Sequence, residues 1–380
     1  MSTLPRTMPD WAQWPESASD NPYTVGIEEE VMLLDRMTWM LAHRIDSVLP
    51  RLPSAGESRF TAETHGSALE IQTGVHHGVG DAIAELAGLR QELGTTLERL
   101  GLAAAGAGTH PFAVWQEIVI SAGDRYQFVY GSMRELARRE PTFALHVHVG
   151  VPDPEAAIRA VNALRIQIPG LLALSVNSPF WQGRDTGLGS ARTPLFQAFP
   201  RVGIPRSFSD YAEYVEAVDA LIRAGAIPEP TFLWWDVRPQ PRFGTVEVRI
   251  MDSQSTVRET AAITALVQCI VRHAVESDLI DEPIPQEVLD ENRFLAARDG
   301  MHSELIDFGH DRRVPARELL GGLLDLSRPY AEMLGCAGEL EGVEALAAQT
   351  GAERQLARAR SLGSLPHLVE SLADDFLTGT

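Results

Sequence analysis

Four stretches of the chain alternate apolar and polar residues with a period of two, the pattern of a strand with one covered and one open face. They are residues 23–34 (YTVGIEEEVMLL), 67–74 (SALEIQTG), 143–151 (FALHVHVGV, stopped by Pro152) and 244–252 (GTVEVRIMD). Residues 231–238 (TFLWWDVR) read as a further strand joined to the last through the turn PQPRF. Residues 102–109 (LAAAGAGT) read as another, ended by Pro111. Apolar residues at helical spacing predict a helix at 79–100, two helices at 154–167 and 169–178 (the first opening at Asp153), and one at 208–225. A Gly-, Arg- and Asp-rich loop is expected over 182–206, and beyond Arg258 nearly every segment reads as helix. Residues 1–20, with three prolines and two tryptophans, read as a mobile leader. No repeat and no Gly/Ser linker divides the rest. Residues 21–380 are therefore expected to form one α+β domain, with helices on one face of an antiparallel or mixed sheet and a helical C-terminal region.

The strand faces carry the chemistry. Gly26, Glu28 and Glu30 share one face of the first strand, opposite Ile27, Glu29 and Val31. Glu70 and Gln72 oppose Leu69 and Ile71, and His146 and His148 oppose Leu145, Val147 and Val149. Glu247 and Arg249 oppose Val246, Val248 and Ile250. Glu29 falls on the covered side and reads as structural. One charged strand face is ordinary solvent exposure. Four that concentrate Glu and His, with no lysine among them, are not. Glu28, Glu30, Glu63, Glu70 and Glu247 brought together repel one another unless cations stand between them. Oxygen-rich ligands with an imidazole suit Mg²⁺ or Mn²⁺ better than zinc.

Composition narrows the partners. With 380 residues, 44% of them hydrophobic, the chain can bury a substantial core. Fifty-two acidic against 32 basic residues give a net charge of −20, which predicts no nucleic-acid and no anionic-membrane partner. Small-molecule substrates are the expected partners, and homo-oligomerisation stays open. Every basic residue is arginine. The absence of lysine excludes P-loop, Schiff-base and protein-kinase chemistry. Cys269 and Cys336 make no disulfide framework, and Cys269 lies in an apolar helical run that reads as core. Residues 1–20 hold no apolar signal-type stretch, and no apolar run reaches the roughly 20 residues needed to span a bilayer, so a cytoplasmic enzyme is expected.

Seven motifs, in order, resemble the type 2 glutamate–cysteine ligases, also called carboxylate–amine ligases: GIEEEVMLLD, ETHGSALEIQTG, GAGTHPFA, ALHVHVGVPD, SVNSPFWQGRDTGLGS, WWDVRPQPRFGTVEVRIMD and ENRFLAARDG. The likeness runs from about residue 23 to about 357. It implies a glutamine synthetase-like antiparallel sheet, with helices on one face and an open carboxylate-lined face that binds ATP, metal ions and an amino acid. It also implies ATP-dependent joining of the γ-carboxylate of glutamate to an amine, typically cysteine. Carried over by motif, the resemblance puts Mg²⁺ (or Mn²⁺) on Glu28, Glu30, Glu63, Glu70, His148 and Glu247. Arg249 is expected to stabilise the transferring phosphoryl group, and Arg192 and Arg238 to contact phosphate or substrate carboxylate. Asn292 and Arg298 are expected to close the site from above, and Thr109 to approach the nucleotide. Arg242 and Arg293 stand where relatives often carry lysine. Three rival readings remain: a ligase for another amine or acid, a metal-dependent hydrolase using the HxH pair with the glutamates, and a non-catalytic binding protein on the same fold. The hydrolase would need no nucleotide.

Overall fold

A computed structural model of the chain describes residues 7–53, 58–138, 141–277 and 284–379. Seven strands form one sheet: β1 Val25–Asp35, β2 Phe60–Ala62, β3 Ala68–Gln72, β4 Leu102–Ala105, β5 Ala144–Gly150, β6 Val237–Gln240 and β7 Thr245–Asp252. The order is β6-β7-β5-β1-β3-β2, and every pairing is antiparallel. One edge of β1 pairs with β3. The other is shared, with β5 along residues 25–29 and β4 along residues 32–35.

The alternation seen in the sequence becomes the two faces of this sheet. The apolar side (Ile27, Val31, Leu33, Leu69, Ile71, Val147, Val149, Val246, Val248) is buried under three helices, α1 Val79–Glu98, α3 Pro154–Ser175 and α5 Val257–Glu276. Each such side chain contributes roughly 1.5–3 kcal/mol on burial. Local signals start two of these helices. Asp153 accepts the Ala156 N–H (2.7 Å) ahead of Pro154, and Thr256 and Glu259 form a capping box. Although α3 is long and apolar enough to cross a bilayer, two thirds of that stretch is buried in the protein core.

One charged pair lies inside the covered layer. Arg90 of α1 grips Glu29 with two bonds (2.8 and 2.9 Å), Thr260 donates a third (2.6 Å), and both charged side chains are fully buried. Glu29 is the acid of GIEEE that faces away from the open side, as the alternation requires.

Among the described residues the other helices of ten residues or more are α2 Asp124–Met133, α4 Tyr211–Arg223, α6 Gln286–Asp299, α7 Ala316–Leu334, α8 Ala337–Ala348, α9 Gly351–Leu362 and α10 Leu365–Thr378. Four local expectations change. The predicted break near residue 168 is absent: α3 runs through Pro169, which is buried together with Ile168 and Leu171, so packing outweighs the lost backbone bond. TFLWWDVR divides into a 3₁₀ turn, a two-residue strand and β6. The helical tail holds a hairpin, Glu304–Asp307 with Arg312–Pro315, turning at Asp311 with φ of 49°. The stretch read as a leader, whose first six residues lie outside the described ones, is docked at residues 11–14. Trp11 donates to Asp219, Tyr211 donates to the Ala12 carbonyl (2.7 Å), and Trp14 packs edge-on against Tyr211.

Candidate active site

Strand register alone assembles the open face. Glu247 of β7 stands opposite His148 of β5 and opposite Arg238 of β6; His148 is opposite Gly26 of β1. The next row sets His146 opposite Glu28 and Glu28 opposite Gln72, and the row after sets Glu30 opposite Glu70 and Glu70 opposite Thr61. Cross-strand partners on one face have Cβ atoms roughly 4.5–5.5 Å apart, so their polar ends must meet. They line a cavity of about 440 Å³, walled by Arg125 and Tyr126 of α2 and by Phe196, Phe199, Trp234 and Phe243.

Within it the ligand-type atoms fall into three overlapping groups: Glu28, His148 and Glu247; Glu28, Glu70 and His146; and Glu30, Glu63 and Glu70. In each group the atoms lie within 4.8 Å of one another. His148 Nε2 faces Glu28 Oε1 at 3.3 Å and Glu247 Oε1 at 3.9 Å, while His148 Nδ1 meets the Thr245 hydroxyl at 3.0 Å. His146 Nδ1 lies 3.2 Å from Glu28 Oε2. Both Nε2 atoms are buried without a hydrogen-bond partner. Buried imidazole nitrogens left bare among carboxylates are costly unless a cation occupies the space between them.

Charge is unevenly distributed across the face. Glu247, 1% exposed, receives two bonds from Arg238 (2.7 and 3.2 Å) and a third from Arg249. Burial opposes its ionisation, but the two guanidiniums and His148 outweigh burial and hold it well below the usual carboxylate range. Glu28 is likewise held low against burial by His148 and His146. The other end lacks such partners. Burial, with Glu28, Glu63 and Glu30 nearby, pushes Glu70 well up, and burial with Glu30 raises Glu63 to about 7. His146 is driven down by burial and Arg249. His148 is raised, since Glu28 and Glu247 overcome its burial. Two carboxylates at one end thus resist ionisation until a counter-charge arrives. A hard divalent cation taking oxygen ligands and one or two imidazoles fits this donor set.

The expected residues separate into two sets. Glu28, Glu30, Glu63, Glu70, His148, Glu247, Arg238 and Arg249 converge on the cavity. Arg238 spends its donors on Glu247 and on the carbonyls of Thr231 and Leu233, so it holds Glu247 rather than offering a free anion contact. Four others are not brought to the lining. Thr109 donates to the Phe180 carbonyl (2.7 Å). Asn292 makes a two-way bond with the backbone of Ile306, pinning the hairpin to α6. Arg298 pairs with neighbouring Asp299 on the surface. The guanidinium of Arg192 is taken up by backbone carbonyls of β7. Arg293 pairs with Asp236, and Arg242 lies over Phe243.

Sequence reasoning passed over His146 as a ligand, although its alternation with His148 placed it on the open face. It also missed α2. Tyr126, Val129, Tyr130 and Met133 stand at i, i+3, i+4 and i+7, with Asp124 in the first turn, and that spacing was the available signal. Tyr126 is fixed there by donating to the Ala62 carbonyl, and Arg125 pairs with Glu229 and Thr231 at the rim.

A model of the glutamate–cysteine ligase family 2 matches residues 24–371. A protein of Rubrobacter xylanophilus bearing the provisional name glutamate–cysteine ligase 2-1 is 42% identical over 88% of this chain and 89% of its own length. One of Sorangium cellulosum, provisionally glutamate–cysteine ligase 2, is 38% identical over 96% of this chain and 99% of its own. Among solved structures, the glutamate–cysteine ligase of Francisella tularensis in complex with AMP shares the fold, with a TM-score of 0.68. It is 13% identical, over 94% of this chain and 89% of that one. A bifunctional glutathione synthetase from Pasteurella multocida also shares it, with a TM-score of 0.69 and 14% identity over 95% of this chain and 53% of that one.

Proposed function

This chain belongs to the glutamate–cysteine ligase family 2, an ATP-dependent ligase family, and on that premise we propose that it joins the γ-carboxylate of L-glutamate to the amine of L-cysteine through an acyl phosphate. The observation that carries this reading is the open sheet face. Five carboxylates and two imidazoles whose Nε2 atoms have no hydrogen-bond partner converge there, with Arg249 among them.

A carboxylate does not yield to an amine directly, because oxide is a poor leaving group. Transfer of the γ-phosphoryl group of ATP turns that oxygen into phosphate. The obstacle is repulsion between two anions brought into line. Mg²⁺ held by Glu28, Glu30, Glu63, Glu70, Glu247 and the two histidines would supply charge neutralisation and phosphate orientation. The chain's own residues do the rest. Arg238 and Arg249 together fix the Glu247 carboxylate, and Arg249 keeps a guanidinium at the cavity wall where charge gathers on the transferring oxygens. Thr245 orients His148 through Nδ1 and so presents Nε2 to the face. Arg125, at the rim beside Tyr126, is held by Glu229 and Thr231 and would meet a substrate carboxylate only by exchanging that pairing. Phe196, Phe199, Trp234 and Phe243 make the apolar wall that limits water. Attack by the amine then gives a tetrahedral oxyanion, which collapses to amide and phosphate.

The test is ADP release from ATP and Mg²⁺ with glutamate alone, cysteine alone and both, with the product identified by mass. The reading requires ADP and γ-glutamylcysteine only when both amino acids are present. Hydrolysis of an amide or ester with no nucleotide would support the hydrolase instead.

A further inference from the structure

Arg249 does not sit in a regular strand. Val248 pairs with Val147 and Met251 with Leu145, so two residues of β7, Arg249 and Ile250, face the single residue His146. Such a bulge removes main-chain groups from the ladder and re-aims the side chain it carries. Three of these groups have a specific holder. The Arg249 N–H donates to the Asp236 carbonyl (2.8 Å), and the Asp236 carboxylate is gripped by Arg293 of α6 at 2.6 and 3.1 Å. The carbonyls of Arg249 and Ile250 accept from the two arms of Arg192, at 3.1 and 2.8 Å. Arg192 is itself 5% exposed and stands 3.8 Å from Asp252. That carboxylate accepts from Ser178 (2.7 Å), Ser190 (2.9 Å) and the Asn177 N–H (2.8 Å).

We propose that Arg192 is a positioning residue that sets the stance of Arg249 by clamping the bulge of β7, and that it makes no contact with nucleotide or amino acid. The inference rests on the reading of Arg249 given above. Both terminal nitrogens of Arg192 are committed to the backbone, and its side chain does not line the 440 Å³ cavity; with Arg249, Phe196 and Trp234 it borders only a small pocket of about 10 Å³ beside it. The fork is what the task requires, since two carbonyls on successive residues need two donors in fixed relation. Lysine offers a single ammonium on a flexible stem. The buried network of Ser178, Ser190, Asn177 and Asp252 then acquires a purpose, because it fixes Arg192 from behind. Arg192 thus explains its place in the loop motif without touching a ligand.

The experiment is a kinetic double-mutant cycle on the full chain, with ATP, Mg²⁺, glutamate and cysteine, comparing wild type, Arg192→Lys, Arg249→Lys and the double variant. Each single change is expected to lower kcat about 10²-fold. Arg192→Lys should leave the KM values for ATP and glutamate within about twofold, and the double variant should be no slower than Arg249→Lys alone, because both remove one function. Losses that multiply in the double variant would overturn the clamp. So would a raised KM for ATP or glutamate at normal kcat in Arg192→Lys, the mark of direct contact. Wild-type kcat in Arg249→Lys would overturn the underlying reading of Arg249, and the clamp's catalytic role with it. If Arg192→Lys does not fold, Ser190→Ala loosens the same support more gently. A several-fold lower kcat at unchanged KM is then expected, and an unchanged kcat refutes the proposal.

Discussion

Glu63→Gln should make the metal-free protein more stable at pH 8 and inactive as a ligase, an unusual combination that follows from the crowding of carboxylates. Burial and Glu30 raise Glu63 from 4.5 to about 7. In the unfolded chain its proton leaves near pH 4.5, while the folded protein holds it to about pH 7. Between these values the unfolded state binds fewer protons, so stability falls as pH rises. At about 1.4 kcal/mol for each pH unit between the two, the full cost of the charged form is about 3 kcal/mol. Glu63 keeps part of its surface in solvent, so a gain of about 1–3 kcal/mol is expected at pH 8, and under about 1 kcal/mol at pH 5. Glutamine is nearly isosteric and keeps an oxygen to accept the Thr64 N–H (3.1 Å), so little else changes. Urea unfolding in EDTA at the two pH values measures the difference. Added Mg²⁺ should stabilise the wild type at pH 8 more than the variant, because the wild type has more ligand charge to neutralise. A variant less stable than wild type at pH 8, or one whose gain is the same at both pH values, would refute the claim that Glu63 is a strained member of a cation site.

Other outcomes follow from the same face and its covered reverse. Glu28→Gln, which touches two of the three ligand groups, should lower ATP-dependent amide formation at least about 10²-fold with the circular dichroism spectrum unchanged; turnover near wild type would remove Glu28 from the site. EDTA should stop activity without unfolding, since the sheet owes its stability to the face under α1, α3 and α5; a global loss of helix signal on chelation would contradict that. Arg90→Met should destabilise by about 3–5 kcal/mol in urea melts, because it strands the buried Glu29 charge, and a cost under about 1 kcal/mol would show that the pair is dispensable.

The face was readable in the sequence because it depends on period two and on register. Once Glu28, Glu70, His148 and Glu247 lie on pleated strands with apolar alternates, antiparallel pairing leaves their side chains little freedom. Arg249 was placed on that face, but its bulge was invisible, since no glycine or proline marks it. The fate of Arg192 was hidden for the same reason, because its partners are backbone carbonyls that exist only where the ladder breaks. Asn292, Arg298 and Thr109 were expected at the site by motif, whereas Asn292 and Thr109 are bonded to the backbone of Ile306 and Phe180, and Arg298 pairs with Asp299 on the surface. The docking of residues 11–14 was missed because a polar, proline-rich composition says nothing of two tryptophans finding tyrosines on α4, about 200 residues away.

The most direct measurement of the central claim is the stoichiometry of ADP against γ-glutamylcysteine, with ATP, Mg²⁺, glutamate and an equimolar mixture of cysteine, 2-aminobutyrate, serine and simple amines. The account predicts one ADP per amide formed, strict dependence on glutamate, and cysteine as the preferred amine. Preference for another amine would overturn the choice of cysteine while leaving the ligase intact, and ADP release without glutamate, or amide formed without ADP, would contradict the account itself.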